Sequence, residues 1–452
     1  MGPILRRGIV LMALGTLVPA AFGSTPPAGA SPTVIRVGYI AQAGSLAGRP
    51  TDDPGALGVA GFAGLLGARE GAEEMSYTAR LVGRRLELLE AAARTPAEAA
   101  QQAQALVGRD ADVLLGGFDA GTALALSQFA AQHAILFFNV GAPDDRLRNE
   151  DCARYTFHVE ASDAMYLDAV ADWFIRGLAF LVDENAPQGV RIIRRAPARA
   201  WFLITEDAPL YRARRDRLRA ALEQRHWGGR IVGDLAVMER KGFAQAEGAI
   251  ARVRPDLVFL LLSPARQLQF YSQYERGRLS VEVTGFPDPV TQTRTFFAAL
   301  LRAAPQKARG GIRMVSWEPT FASIGGPQLA QRFFARWRHP LDGPAWTSWL
   351  AVKIVWDAFI HAGSDPLALV RYLEGGRALF EGYQGIGMTF RPWDHQLRHP
   401  LMASRLAKPG GDESALAEMV GQFPNVLAPG RDPTRVLDQL GDTPQASRCR
   451  WR

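Results

Sequence analysis

Short apolar runs alternate along this chain with helix-length stretches, and that alternation restricts its possible folds more than any other feature. Val34–Ile40 (VIRVGYI) reads as a buried strand running into a Gly-rich loop. Gly55–Met75 reads as a helix with many small residues on its packing face. Arg85–Glu90 (RLELLE) alternates with a period of two, as a strand does. Thr95–Val107 is a helix with Thr95 as its cap, Pro96 at its first position and Glu98 in its first turn. Asp112–Leu115 is a strand, followed by the turn GGFDAGT, a helix over Thr122–Gln132 and a strand over Ile135–Asn139. This order predicts a parallel sheet covered by helices on both faces.

The rhythm then restarts. Helices are expected over Tyr166–Leu181, Leu210–Arg225, Phe243–Val253 and Arg266–Arg276. Strands are expected over Ala200–Thr205, Arg230–Leu235, Asp256–Leu262 and Val281–Gly285. Two successive α/β units imply two lobes of similar architecture. The polar, basic segment Val182–Arg199 reads as an exposed insertion, and beyond about Pro424 the chain reads as a poorly ordered tail apart from any tether at Cys449.

With 452 residues, 48% of them hydrophobic, the chain is long enough for two or three domains around a large core. The net charge of +7 is carried almost wholly by arginine. The run Arg212–Arg219 reads as the solvated face of a helix whose apolar stripe includes Leu218 and Leu222. No stacking aromatics interleave the basic runs, which argues against a nucleic-acid partner. Arg6 and Arg7 precede an apolar stretch over Gly8–Ala20, and small residues follow it, the pattern of an export signal over residues 1–30. A membrane anchor is the alternative reading of that stretch. No later segment is long and apolar enough to span a bilayer, so no stable membrane insertion is expected after signal cleavage. The two cysteines, Cys152 and Cys449, would meet an oxidising compartment and either pair or stay as free thiols.

The order and spacing of these segments resemble the type I periplasmic binding proteins of branched-chain amino acid, amide and urea uptake. The resemblance rests on VIRVGYI, GAREGAEEM (Gly67–Met75), VGRRLELLE (Val82–Glu90), TPAEAAQQAQALV (Thr95–Val107) and ADVLLGGFDAGT (Ala111–Thr122). It continues through RPDLVFLLL (Arg254–Leu262), AGSDPLALV (Ala362–Val370) and GIGMTFRPWDHQL (Gly385–Leu397), about 370 residues in all. NVGAPDDRLRNEDC (Asn139–Cys152) is similar to a branch linked to alcohol dehydrogenase systems that depend on pyrroloquinoline quinone. The resemblance implies an α/β fold with two open parallel-sheet lobes, helices on both faces, and three crossovers. Lobe one would take 33–160 plus 316–385, lobe two 161–315 plus 386–406, and 407–452 would be a C-terminal tail. It implies capture of a small polar molecule between the lobes for an ABC importer in the periplasm. The alternative is an accessory or sensory protein of an alcohol-oxidation system. The expected partners are therefore a small-molecule ligand and an ABC permease or a periplasmic protein.

By the same resemblance, ligand contacts fall on Asp119, Ala120, Gly121 and Thr122 after the third strand, and on Val140, Gly141 and Ala142 after the fourth. Helix N-termini in such loops favour anions, because their N–H groups lack partners. Ala120 and Pro143 stand where amino-acid-binding relatives often carry hydroxyls, and Asp119 would repel a carboxylate, so Thr122 becomes the replacement donor. Lobe two would supply Glu206 and Asp207, Tyr211, Ser263, Phe286 and Asp288. Each side chain also reads as a solvated loop residue or turn former; Gly141 reads equally as a turn needing positive φ. No nucleophile elbow, zinc motif, phosphate loop or dinucleotide fingerprint appears, so neither catalysis nor a cofactor is expected. His395 and His399 lie four apart but between prolines, which does not favour a metal site.

Overall fold

A computed structural model describes residues 33–47, 52–182, 190–238, 242–407, 413–426 and 432–451. The segment read as an export signal lies outside the described residues. The first unit begins with β1 (Thr33–Gln42), α1 (Leu57–Leu81), β2 (Arg84–Ala93), α2 (Pro96–Val107) and β3 (Val113–Gly116). It continues with α3 (Ala120–His133), β4 (Leu136–Asn139) and β5 (Thr156–His158). The five strands form a wholly parallel sheet in the order β2-β1-β3-β4-β5. Runs such as VLLG and LFFN are apolar throughout because helices cover both faces. Thr95 caps α2 as expected, its hydroxyl accepting from the Glu98 N–H at 3.2 Å.

The second unit opens with α4 (Asp163–Ala171) and one wider turn over Asp172–Arg176. The helix expected to run to Leu181 stops at Gly177, which adopts φ 64° with Arg195 packed closely against it. The chain then forms β6 (Leu178–Val182) and β7 (Val190–Arg194), an antiparallel pair, where an exposed insertion was expected. Next come β8 (Ala200–Glu206), α5 (Pro209–Gln224), β9 (Arg230–Val237), α6 (Ala246–Val253) and β10 (Leu257–Leu261). α7 (Pro264–Arg276), β11 (Glu282–Gly285), α8 (Arg294–Ala303) and β12 (Ile312–Val315) follow. The second parallel sheet has the order β11-β10-β8-β9.

The chain returns to the first unit through α9 (Gly326–Trp337), α10 (Gly343–Ala362) and α11 (Pro366–Glu374). α10 lies along α1 with its Trp346, Trp349 and Trp356 rings in the core. β13 (Phe380–Glu381), β14 (Gly387–Phe390) and β15 (Leu397–Arg398) form a small antiparallel sheet at the β5 edge, where His158 bridges to Gln396. Among the described residues, β16 (Leu401–Leu406) is the strand that pairs with β12. β17 (Ala417–Phe423) pairs with β16 and with β6, completing a third sheet in the order β12-β16-β17-β6-β7. The segment after Pro424 was expected to be held only near Cys449. Instead it forms α12 (Pro433–Leu437) and packs through Val436, Leu437 and Leu440. Cys152 and Cys449 form a disulfide. Among the described residues, no helix is long and apolar enough to cross a membrane.

Candidate functional site

A cavity of about 660 Å³, counting its open mouth, lies between the two parallel sheets at the carboxyl ends of their strands. The first unit contributes Leu57, Phe118, Asp119, Ala120, Pro143 and Asp144. The second contributes Leu210, Tyr211, Arg214, Asp288 and Val290. The units touch beside it, where a side chain added at Gly55 would meet the Ala265 backbone at 2.7 Å. The walls are thus apolar and aromatic, with a few charged groups at defined points, which suits a small organic ligand.

The cavity brings together Asp119, Ala120, Tyr211 and Asp288 among the sequence-predicted residues, with Pro143 beside them. The Asp119 carboxylate turns back onto α3: Oδ1 accepts from the Thr122 N–H at 2.9 Å and Oδ2 from the Thr122 hydroxyl at 2.6 Å. The helix N-terminus therefore already holds an anion of its own, and Thr122 is not a free donor. Gly121 is exposed and lies outside the lining. Val140, Gly141 and Ala142 are buried behind the wall, where Asn139 Oδ1 accepts from the N–H groups of Gly141 (3.2 Å) and Ala142 (2.9 Å). Gly141 has no positive φ; it is small because Phe118 would meet a Cβ there at 2.5 Å. Asp207 pairs with Arg212 at 2.5 Å and half of its side chain is exposed. The Ser263 N–H donates to Glu206 at 2.8 Å. Phe286 is fully buried beneath Arg214.

Arg214 is the residue that sequence reasoning missed. It sits within the basic run of α5 whose side chains were expected to face solvent, yet it is buried. Its Nε lies 3.0 Å from Asp163 and its Nη1 2.9 Å from Asp288, and its guanidinium covers the Phe286 ring at 3.8 Å. Position was the available signal: it falls one turn before Leu218, on the apolar stripe. Burial acts to lower the guanidinium, but Asp163 and Asp288 more than reverse that, and it titrates above its usual range. Burial raises the Asp288 carboxyl against the pull of Arg214, and burial followed by the charge of Asp288 raises the Tyr211 hydroxyl. Two polar atoms at this centre, Arg214 Nη1 and Asp288 Oδ2, are buried without a hydrogen bond among the described residues.

Among the described residues no group of three His, Cys, Asp or Glu is placed to hold a metal ion. His395 is stacked between Phe157 (4.1 Å) and Trp451 (4.0 Å), and its Nε2 lies 2.7 Å from Glu374. His399 is buried, with Nδ1 at 3.0 Å from the Pro400 carbonyl.

Two open α/β units joined by three crossovers, with a lined cavity between the strand ends, define a two-lobed solute-binding protein of type I. The model of the periplasmic binding protein family matches residues 47–412, and the chain belongs to that family. Among solved structures it is similar to a branched-chain amino acid ABC transporter periplasmic ligand-binding protein from Burkholderia xenovorans. That match has 17% identity, covers 92% of this chain and 99% of the other, and has a TM-score of 0.70. A leucine-, isoleucine-, valine-, threonine- and alanine-binding protein from Brucella ovis, in a closed conformation, matches at 14% identity, 94% and 100% coverage, and a TM-score of 0.70. An ABC transporter solute-binding protein from R. palustris, in complex with benzoate, matches at 18% identity, 86% and 96% coverage, and a TM-score of 0.63. In sequence, the chain matches no curated protein. The family binds substrates rather than converting them.

Proposed function

We propose that this chain is exported to the periplasm and captures a small polar organic molecule in the cleft between its two units, delivering it to an ABC permease. The cavity between the strand ends carries this reading, because residues from both units line it and neither unit could form it alone. Ligand would be held by Phe118, Asp119 and Ala120 on one side and Tyr211, Arg214 and Asp288 on the other. The first lobe then consists of residues 33–160 with the segment from about 316 to 398, and the second of 161–315 with β16 and β17. Movement about the three crossovers would bury the ligand.

Titration of the folded protein with small organic ligands, followed by calorimetry and by small-angle scattering, tests the proposal. Saturable binding with a decrease in radius of gyration is the expected result. Binding abolished by Tyr211→Ala places the ligand in the cleft. A folded protein that binds no small molecule but captures a periplasmic dehydrogenase would instead favour the accessory role.

A further inference from the structure

Three features of the cavity bear on what it accepts. First, the α3 N-terminus, the natural seat for a ligand carboxylate, is occupied by the carboxylate of Asp119, held at 2.9 and 2.6 Å by the two donors of Thr122. Neither Ala120 nor Pro143, its neighbours in the lining, has a side-chain donor, and Pro143 lacks an N–H as well. Second, the lining carries three carboxylates, Asp119, Asp144 and Asp288, against the single guanidinium of Arg214. That guanidinium is further claimed from behind by Asp163 at 3.0 Å. An incoming carboxylate would add a fourth negative charge in a half-enclosed space, and Arg214 has no charge left to balance it. Third, among the described residues Arg214 Nη1 and Asp288 Oδ2 are buried without a hydrogen bond, although Nη1 lies 2.9 Å from the other Asp288 oxygen, Oδ1. One is a donor and the other an acceptor, and both belong to residues that line the cavity. A buried polar atom without a hydrogen bond is costly, and a ligand group that satisfies both atoms recovers that cost.

From these features we infer that the cleft selects neutral ligands, with an apolar body against Phe118, Leu57, Leu210 and Val290 and a hydroxyl or carboxamide that bridges Arg214 and Asp288, over carboxylic acids. A hydroxyl or a carboxamide donates and accepts at once, as this pair of atoms requires. A carboxylate only accepts, and would face Asp288 Oδ2. The ligand class therefore differs from the benzoate held by the R. palustris protein. The inference rests on the cleft being a ligand site, and its test separates the two claims.

Two matched series share one body each: isoamyl alcohol, isovaleramide, isovalerate and isoamylamine; and benzyl alcohol, benzamide, benzoate and benzylamine. Calorimetric titration of each against the folded protein should show the alcohol and amide binding at least ten-fold more tightly than the acid. Asp288→Asn, which replaces the acceptor Oδ2 with a donor in the same shape, should weaken the alcohol by ten-fold or more while the melting temperature stays within a few degrees. Acids binding as tightly as the neutral members, with loss of that binding in Tyr211→Ala, would overturn the inference and leave the cleft reading standing. Should no member of either series bind to protein that is demonstrably folded, both claims fall. Should Asp288→Asn prove unfolded, the ranking within each series on the unaltered protein decides the matter alone.

Discussion

Glu160 lies just after the first sheet, where the chain crosses to the second unit, and it is fully buried. One carboxylate oxygen accepts from the Tyr166 hydroxyl at 2.5 Å, and the other has no hydrogen bond among the described residues. Burial pushes its carboxyl up to about 7, against the pull of Tyr166 and Arg148. The folded protein thus holds this proton more firmly than the unfolded chain does. The stabilisation is complete below the ordinary carboxyl range near 4.5 and is lost as pH rises through about 7. Buried histidines oppose this trend. Burial lowers His399 to about 4, so its contribution is lost as pH falls below 6.5. Comparison with Glu160→Gln isolates the carboxyl. Between pH 5 and pH 8 the unaltered protein should lose roughly 3 kcal/mol more stability than the variant, read from denaturant melts. Parallel pH profiles would refute the assignment. Asp119→Asn is a second residue-scale case: it keeps a capping oxygen on α3 and removes a charge from the cavity. It should cost under about 1 kcal/mol and should raise the affinity of the acid members of each series. The loops bearing Asp119, Tyr211 and Asp288 were legible in the sequence, because a strand end followed by a helix start fixes where such residues sit. Arg214 was hidden in a run of arginines, since charge counting cannot tell which one faces inward with two carboxylates from distant segments.

At the scale of elements, α1 and α10 approach closely enough that glycine is required between them. A Cβ at Gly67 would stand 1.9 Å from the Ala345 carbonyl oxygen, and one at Gly71 would stand 2.9 Å from that of Trp349. Gly67→Ala should therefore destabilise the protein by at least the 1–3 kcal/mol or so typical of overpacking, because the obstacle is backbone. Gly248→Ala in α6, an exposed position with nothing within 4 Å, should stabilise it by about 0.5–1 kcal/mol. Thermal melts of the two variants should move in opposite directions. The parallel sheets were readable because the central strands β3, β4 and β10 are short apolar runs, β2 alternates with a period of two, and strands and helices follow one another along the chain. The third sheet was not readable. Its strands come from three separated parts of the chain, and β7 carries the arginines of VRIIR on an edge where solvent accepts them. β6 follows Gly177 at once, so its apolar residues read as a continuation of the helical pattern of α4.

At the scale of the molecule, the segment after α12 acts as a strap between the two units. On the second unit, Asp442 pairs with Arg217 of α5, and the Gly441 N–H donates to Asp168 of α4 at 2.8 Å. On the first, Asn149 donates to Asp442 at 3.0 Å, Asn149 Oδ1 accepts from the Arg448 N–H at 2.8 Å, and Cys449 is bonded to Cys152. Cys152→Ser combined with Cys449→Ser should lower stability by about 2–5 kcal/mol and speed amide exchange over residues 438–451. Unchanged melting with unchanged exchange would mean that the non-covalent contacts alone hold the strap. The two sulfurs are separated by 297 positions along the chain. Because a polypeptide is made from its amino end, the first thiol must wait while every strand of the second sheet and every return helix is synthesised. The bond can therefore close only after nearly the whole chain has been made, and the covalent loop it then seals encloses the second sheet and every return helix.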